Sequence, residues 1–321
     1  MTPRPRPARR ARVALVIAVA AIGAVAAAGG ARPTAAGVTA PVLGGCPVFP
    51  ANNPWNTDIS GRARHPNSDR IVRTLNSIGG RFLHADFGGE GAYGIPFVIV
   101  SPTATQWPVR YTDYGDESDA GPFPIPRRAP IEGGAASDGD RHVIAVQQGT
   151  CALFELYRAF PRSTRWDAAS GATWDLRSNR LRPAGWTSAD AAGLPILPGL
   201  ARCEDIAAGA VHHALRVTFG RTRRGYVSPA RHFASSSTSS SLPAMGMRLR
   251  LKASYDITRY HGQARILLVA MKRYGLMVAD NGSNWFITGA ADDCWDDDDL
   301  NQLKQVPGAA FEVVDTGRVV T

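Results

Sequence analysis

Two stretches of the 321-residue chain bring together side chains with the means for acid–base or metal chemistry. The first holds His142 and Glu155. Residues 141–147 and 150–158 read as a hairpin around Gln148-Gly149. A two- or four-residue connection faces Val146 with Cys151 and Ile144 with Leu153, which sets His142 opposite Glu155; a three-residue loop with a bulge breaks that pairing. Glu155 stands in ALFELY, flanked by Phe154 and Leu156, with Leu153 and Tyr157 on its own face. A carboxylate there is either desolvated, with a raised pKa, or paired to a donor. The functional expectation is a general acid tuned by His142. The structural alternative is a buried, hydrogen-bonded pair.

The second stretch is residues 209–233, GAVHHALRVTFGRTRRGYVSPARHF, read as two strands joined by a basic loop at 220–225. Val211, His213, Leu215, Val217 and Phe219 share one face; His212, Ala214, Arg216 and Thr218 share the other. Pairing Phe219 with Tyr226, Val217 with Ser228 and Leu215 with Ala230 puts His213 opposite His232, with Cβ atoms about 4.5–5.5 Å apart. Two such rings can shuttle protons or hold a metal. If both hairpins feed one pocket, His142, Glu155, His213 and His232 form a ligand set suited to Zn, Mn or Fe, although the H-x-H pattern of cupins is absent. A six-residue loop does not fix the register, so the alternative is two histidines lying apart.

Carboxylates supply the remaining candidates. Residues 115–134, GDESDAGPFPIPRRAPIEGG, form a long loop carrying Asp116, Glu117 and Asp119, with Glu132 farther on. Two of these could be a glycosidase pair, about 5–10 Å apart according to mechanism; otherwise the loop is solvated, with Asp-capped turns. Asp292, Asp293 and the run at 296–299 offer hard oxygens for calcium, but the EF-hand pattern is missing, and acids opposing the dipole of a helix near Leu300 explain them equally well. His84 and Asp86 beside a glycine-rich segment are expected to make local loop bonds. No nucleophile elbow, Walker loop or dinucleotide fingerprint occurs. Seven Trp and eight Tyr, several in loops (Trp55, Trp107, Trp186, Trp285), suit stacking on sugar faces, with half or more expected in the core.

The elements that must position these groups are mostly short strands. Expected strands lie at 95–100, 109–114, 166–175, 247–253, 276–280, 285–288 and 311–315. Helices are expected at 68–78, capped by Asn67 or Ser68 and stopped by Gly79, and at 263–274, with shorter ones at 187–192 and 300–305. Residues 194–200, LPILPGL, read as a buried extended segment. The whole predicts one mainly β domain over 41–321, a β-sandwich or jelly roll.

The first forty residues read as an export signal: Arg4, Arg6, Arg9, Arg10 and Arg12, then an apolar run at 13–28 and small residues. A retained membrane anchor is the lesser reading, because the run is short and Ala-rich. These forty residues hold six Arg and no acid, so of 36 basic and 27 acidic groups the remainder keeps 30 and 27. A near-neutral body gives no reason to expect nucleic acid. Four cysteines in an exported chain imply two disulfides in one of three connectivities, of which Cys46–Cys151 with Cys203–Cys294 is the one expected, and no spacing suits thiolate-bound zinc.

CPVFPANNPWNTDIS, GLPILPGL, HHALRVTF, RHFASSST and YGLMVADNGSNWFITG resemble an uncharacterised family of exported bacterial proteins over nearly all of the chain after the signal. The resemblance implies secretion and one continuous domain; it carries no reaction and no residue roles. Cys46 and Cys151 are more typical of that family than Cys203 and Cys294, which agrees with the expected pairing. The leading functional expectation is a secreted hydrolase or lyase acting on extracellular polysaccharide or cell-wall glycan. In that reading Glu155 is acid or base, His142 supports it, and His213, His232 or Asp116, Glu117 and Asp119 complete the site. It requires no cofactor. The alternatives are a non-catalytic carbohydrate-binding protein and a metal-dependent enzyme using His142, Glu155, His213 and His232.

Overall fold

Every position of the Val143–Gln147 strand is buried because both of its faces are covered. Ile144 and Val146 enter the main core, while Val143 and Ala145 enter a second cluster with Phe123, Leu156 and Trp166. A computed structural model describes residues 40–321, and the expected signal at 1–39 lies outside them. Val38–Thr321 is one compact unit.

The fold is mainly β and sandwich-like, with a few short helices. One sheet has four strands in the order Ser170–Asp175, Ala152–Tyr157, Val143–Gln147, Phe97–Val100. A second has six, in the order Phe311–Val314, Arg248–Leu251, Leu276–Asn281, Leu215–Phe219, Phe286–Thr288, His84–Asp86, and smaller sheets of two and three strands complete the set among the described residues. Leu215–Phe219 runs parallel to Leu276–Asn281, and Phe286–Thr288 parallel to His84–Asp86, so the large sheet is mixed. The Ser68–Ile78 helix buries Ile71, Val72 and Leu75 and is followed by Gly79, as its spacing predicts. Its first residue does not cap it: the Ser68 hydroxyl accepts from Val313 N instead, at 2.9 Å, tying the helix to the edge of the sheet. The Gly262–Arg273 helix buries Leu267, Leu268 and Met271. Both expected disulfides are formed, Cys46–Cys151 and Cys203–Cys294.

Three local expectations are corrected. The first hairpin turns over residues 148–151, closed by Cys151 N donating to Gln147 O at 2.9 Å, so Val146 pairs with Leu153 and Ile144 with Glu155. The shift is two residues, which keeps every side chain on its predicted face. His142 therefore lies beside Tyr157, ring centroids 5.6 Å apart, and not opposite Glu155. The second hairpin does not form: Leu215–Phe219 is taken on both sides by Leu276–Asn281 and Phe286–Thr288, while Tyr226 bridges Met245 and Val320. Residues 187–192 make a side-chain-bonded turn rather than a helix.

Candidate functional site

Arg216 sits at the centre of the large sheet, buried, and organises a dense charge network that reaches a cavity through Asp190 and Asp280. Its Nε and Nη2 donate to the two carboxylate oxygens of Asp190 at 2.7 and 2.8 Å. Nη2 also donates to Asp280 Oδ2 at 3.1 Å, and Nη1 to Thr288 Oγ1 at 2.8 Å. The planar fork suits this bidentate arrangement.

The elements explain the convergence. Thr288 ends the neighbouring antiparallel strand, one step past the Val217–Ile287 pair. Asp280 reaches the Arg216 face because the parallel register slips between Val217 and Thr218: Val217 pairs with Val278, but Thr218 pairs with Asp280. Without that irregularity Asp280 would point to the opposite face. Asp190 arrives on the turn at 187–193. Asp190 N donates to Ser188 Oγ at 2.9 Å, and Gly193 closes the turn at φ 66°, where a Cβ would lie 2.4 Å from Trp186 O.

Above this network lies a cavity of about 240 Å³ whose wall includes Tyr114, Tyr157, Ser188, Asp190, His232 and Asp280. Asp190 is wholly buried, whereas the Asp280 side chain keeps 22% exposure. Burial, then the neighbouring Asp190 carboxylate, push the Asp280 carboxyl up to about 7, against the pull of Arg216. The Asp280 carboxyl is thus raised by burial and by its neighbour, while both oxygens of Asp190 are occupied by the Arg216 fork. His232 Nδ1 lies 2.8 Å from Ala191 O. A carbonyl accepts only, so Nδ1 carries hydrogen and donates.

The remaining predicted residues fall elsewhere. Glu155 is wholly buried: its oxygens accept from Ile196 N and Leu197 N at 2.9–3.0 Å, securing the turn at Leu197–Gly199. Burial pushes it up to about 7 in spite of those donors. His142 is equally buried, with Nδ1 2.6 Å from Glu132 and Nε2 3.0 Å from Ala189 O. Although burial opposes the charge, the Glu132 carboxylate holds the ring protonated, its pKa raised to about 9. His213 is buried against Asp205 at 3.1 Å and Ala214 O at 2.8 Å. His142, Glu155, His213 and His232 thus have separate partners and form no ligand cage, so the metal reading through that set is withdrawn. Among the described residues, the one grouping with metal-ligand spacing is Cys203, Asp292 and Cys294, whose two sulfurs are bonded to each other.

Nor does the acidic loop offer a free carboxylate pair. Asp116 is exposed, Glu117 accepts from Thr187 N at 2.8 Å, and Asp119 accepts from Thr173 N at 2.7 Å and from Arg182. These bonds brace the turn that carries Asp190. A larger cavity of about 370 Å³ lies over Asp119, Trp174 and Arg182, but its acid is already paired. Of the acids at 296–299, Asp296 accepts from Asp298 N and Asp299 N, Asp299 from Gln263 N, and Asp297 from Gly89 N, so three of the four serve local structure. His84 and Asp86 belong to a strand, His84 stacking on Phe286 at 4.7 Å, not to a loop. Trp55 and Trp285 are core residues, while Arg127 covers Trp107 and Arg182 lies beside Trp186.

Sequence reasoning missed Asp190, Arg216 and Asp280. The available signal was a single acid ending the apolar run LMVAD, and an arginine inside LRVTF. No helix among the described residues is long and apolar enough to cross a membrane. No family model matches the chain, and neither a curated protein nor a solved structure is similar to it.

Proposed function

We propose that the protein is an exported acid–base enzyme, a hydrolase or lyase acting on extracellular polysaccharide or cell-wall glycan at the Asp280 cavity. One observation carries this reading: Asp280, a carboxyl raised to about 7, lines the same polar cavity as His232, whose Nδ1 is held by Ala191 O. A raised carboxyl and an imidazole facing one cavity are the kinds of group general acid–base catalysis uses. Asp280 donates its proton to the leaving oxygen and regains one from solvent after product leaves, while Arg216 holds Asp190 in place beside it. His232 accepts a proton from water in a hydrolase, or from the carbon next to a uronic carboxyl in a lyase.

Two features support the substrate class. Tyr114 and Tyr157 offer ring faces at the cavity wall, and serine, asparagine and carboxyl groups offer in-plane hydrogen bonds to sugar hydroxyls. A buried Arg–Asp cluster is also a poor stabiliser compared with packed apolar side chains, which favours a functional reason for it. Two disulfides fit an oxidising compartment.

The test incubates purified protein with a panel of neutral and acidic polysaccharides, following new reducing ends and unsaturated products. Turnover that disappears in Asp280→Asn and His232→Ala, with folding retained by circular dichroism, upholds the reading. Saturable glycan binding with no turnover would replace it with a non-catalytic binding function.

A further inference from the structure

The strand segment MRLRLKA carries Arg248 and Arg250 on one face, and the two arginines are treated very differently. Arg250 Nε donates to Glu312 at 2.9 Å, and its Nη1 to three carbonyls of residues 59–62. Arg248 is 3% exposed and has no carboxylate within ion-pair distance among the described residues. Its Nη1 donates to Pro54 O and its Nη2 to Tyr274 O, while Nε has no acceptor.

The other fully buried arginines are all answered. Arg182 has Asp119, Arg202 has Asp205 and Arg216 has Asp190. Arg141, without a carboxylate, uses Nε and Nη1 on three carbonyls and covers the Phe160 ring. A buried guanidinium without a counter-charge is expensive, and removing a charge from water is repaid only by an opposing one. Burial, then the nearby Arg62, depress the Arg248 guanidinium to about 9.

Arg248 lines a cavity of about 180 Å³ whose other walls include Arg62, Asn52, Thr57, Ser228 and Thr316. Two guanidinium groups, three hydroxyls and an amide face it, and no carboxylate does. We propose that this cleft binds a small oxyanion, a carboxylate or sulfate-like group held between Arg248 and Arg62. Such a group supplies the charge that Arg248 lacks, and its several oxygens match the remaining guanidinium hydrogens and the hydroxyls. Two sources share this chemistry: a free inorganic oxyanion, and the acid substituent of a saccharide. The site is independent of the Asp280 cavity and does not rest on the activity proposed there.

Isothermal calorimetry on the purified protein, at constant ionic strength with chloride as the reference, tests the assignment using sodium sulfate and sodium glucuronate. One equivalent of saturable binding is expected, weakened about tenfold in Arg62→Gln and in Arg248→Lys, since a charged hydrogen bond is lost in each. Asp280→Asn, outside this cleft, is expected to bind sulfate as the parent does. Preference for sulfate assigns a free inorganic ion; preference for glucuronate assigns an acidic sugar. Heats that do not saturate, or binding that survives unchanged in Arg62→Gln, would overturn the proposal. Because Arg62 is exposed, that variant folds and decides the question even if Arg248→Lys does not.

Discussion

Arg216 and Asp190 form a two-pronged ion pair, 2.7 and 2.8 Å, that is closed to solvent on the Asp190 side. The pair occupies both oxygens of Asp190 beside the raised Asp280 carboxyl, and it does so through residues 26 positions apart in sequence. Replacing Arg216 with Met is expected to destabilise the protein by about 3–5 kcal/mol, because Asp190 is left buried and unpaired. Urea denaturation at pH 7 measures this. A loss under about 1 kcal/mol would mean that Asp190 takes up a proton at little cost.

Asp280 gives a pH signature that needs no substrate. Its carboxyl is raised from 3.8 to about 7 in the folded protein, so the folded state holds more protons than the unfolded one between those values. The stability it contributes is complete below about pH 4 and is lost as pH rises toward 7. Asp280→Asn is expected to flatten that decline in a series of denaturation curves. In a turnover assay, the rate supported by the protonated carboxyl should fall as pH passes about 7.

Glu132 and His142 predict a decline in a different window. The ring is raised from 6.5 to about 9, so its contribution is complete below 6.5 and disappears as pH rises through about 9. Glu132→Gln is expected to cost about 3 kcal/mol at pH 6, because the buried ring loses its counter-charge. The gap between variant and parent should close above pH 9, as measured by unfolding at both pH values.

Glu155→Gln separates structural from chemical importance. Two backbone N–H groups converge on that carboxylate, and the amide can satisfy only part of the arrangement, so a stability loss of about 1–3 kcal/mol is expected. Turnover per folded molecule should be unchanged. A drop comparable to that of Asp280→Asn would return Glu155 to the chemistry.

The disulfides close long loops, 105 residues for Cys46–Cys151 and 91 for Cys203–Cys294. Chain-entropy reasoning assigns each about 4–5 kcal/mol. Paired Cys→Ser replacement of either bridge should lower the denaturation midpoint accordingly.

Secondary structure was readable wherever burial imposes a period. The Ser68–Ile78 helix shows its 3.6-residue stripe, and alternation in ALFELY assigns Glu155 to the correct face. Register was not readable, because the turn at 148–151 could have closed two residues earlier with the same faces preserved. Position across the sheet was still less so. Leu215–Phe219 alternates as a hairpin strand would, yet it pairs with segments some sixty residues ahead, bypassing residues 226–232. Asp280 joins Arg216 only through a slip in a parallel register, which leaves no trace in hydrophobic spacing. His232 was found as a residue but with the wrong neighbour.

The six-stranded sheet has one further consequence, for the order in which the chain must be made. One edge strand, His84–Asp86, pairs with Phe286–Thr288; the other, Phe311–Val314, is met by Arg64. Early and late segments are therefore interleaved, and residues that emerge first from a ribosome or a translocation pore have no partners until almost the last have followed. Such long-range pairing delays completion of this sheet until the chain is nearly complete. Were the chain exported unfolded, as the proposed function has it, that delay would keep the large sheet from closing before passage is over.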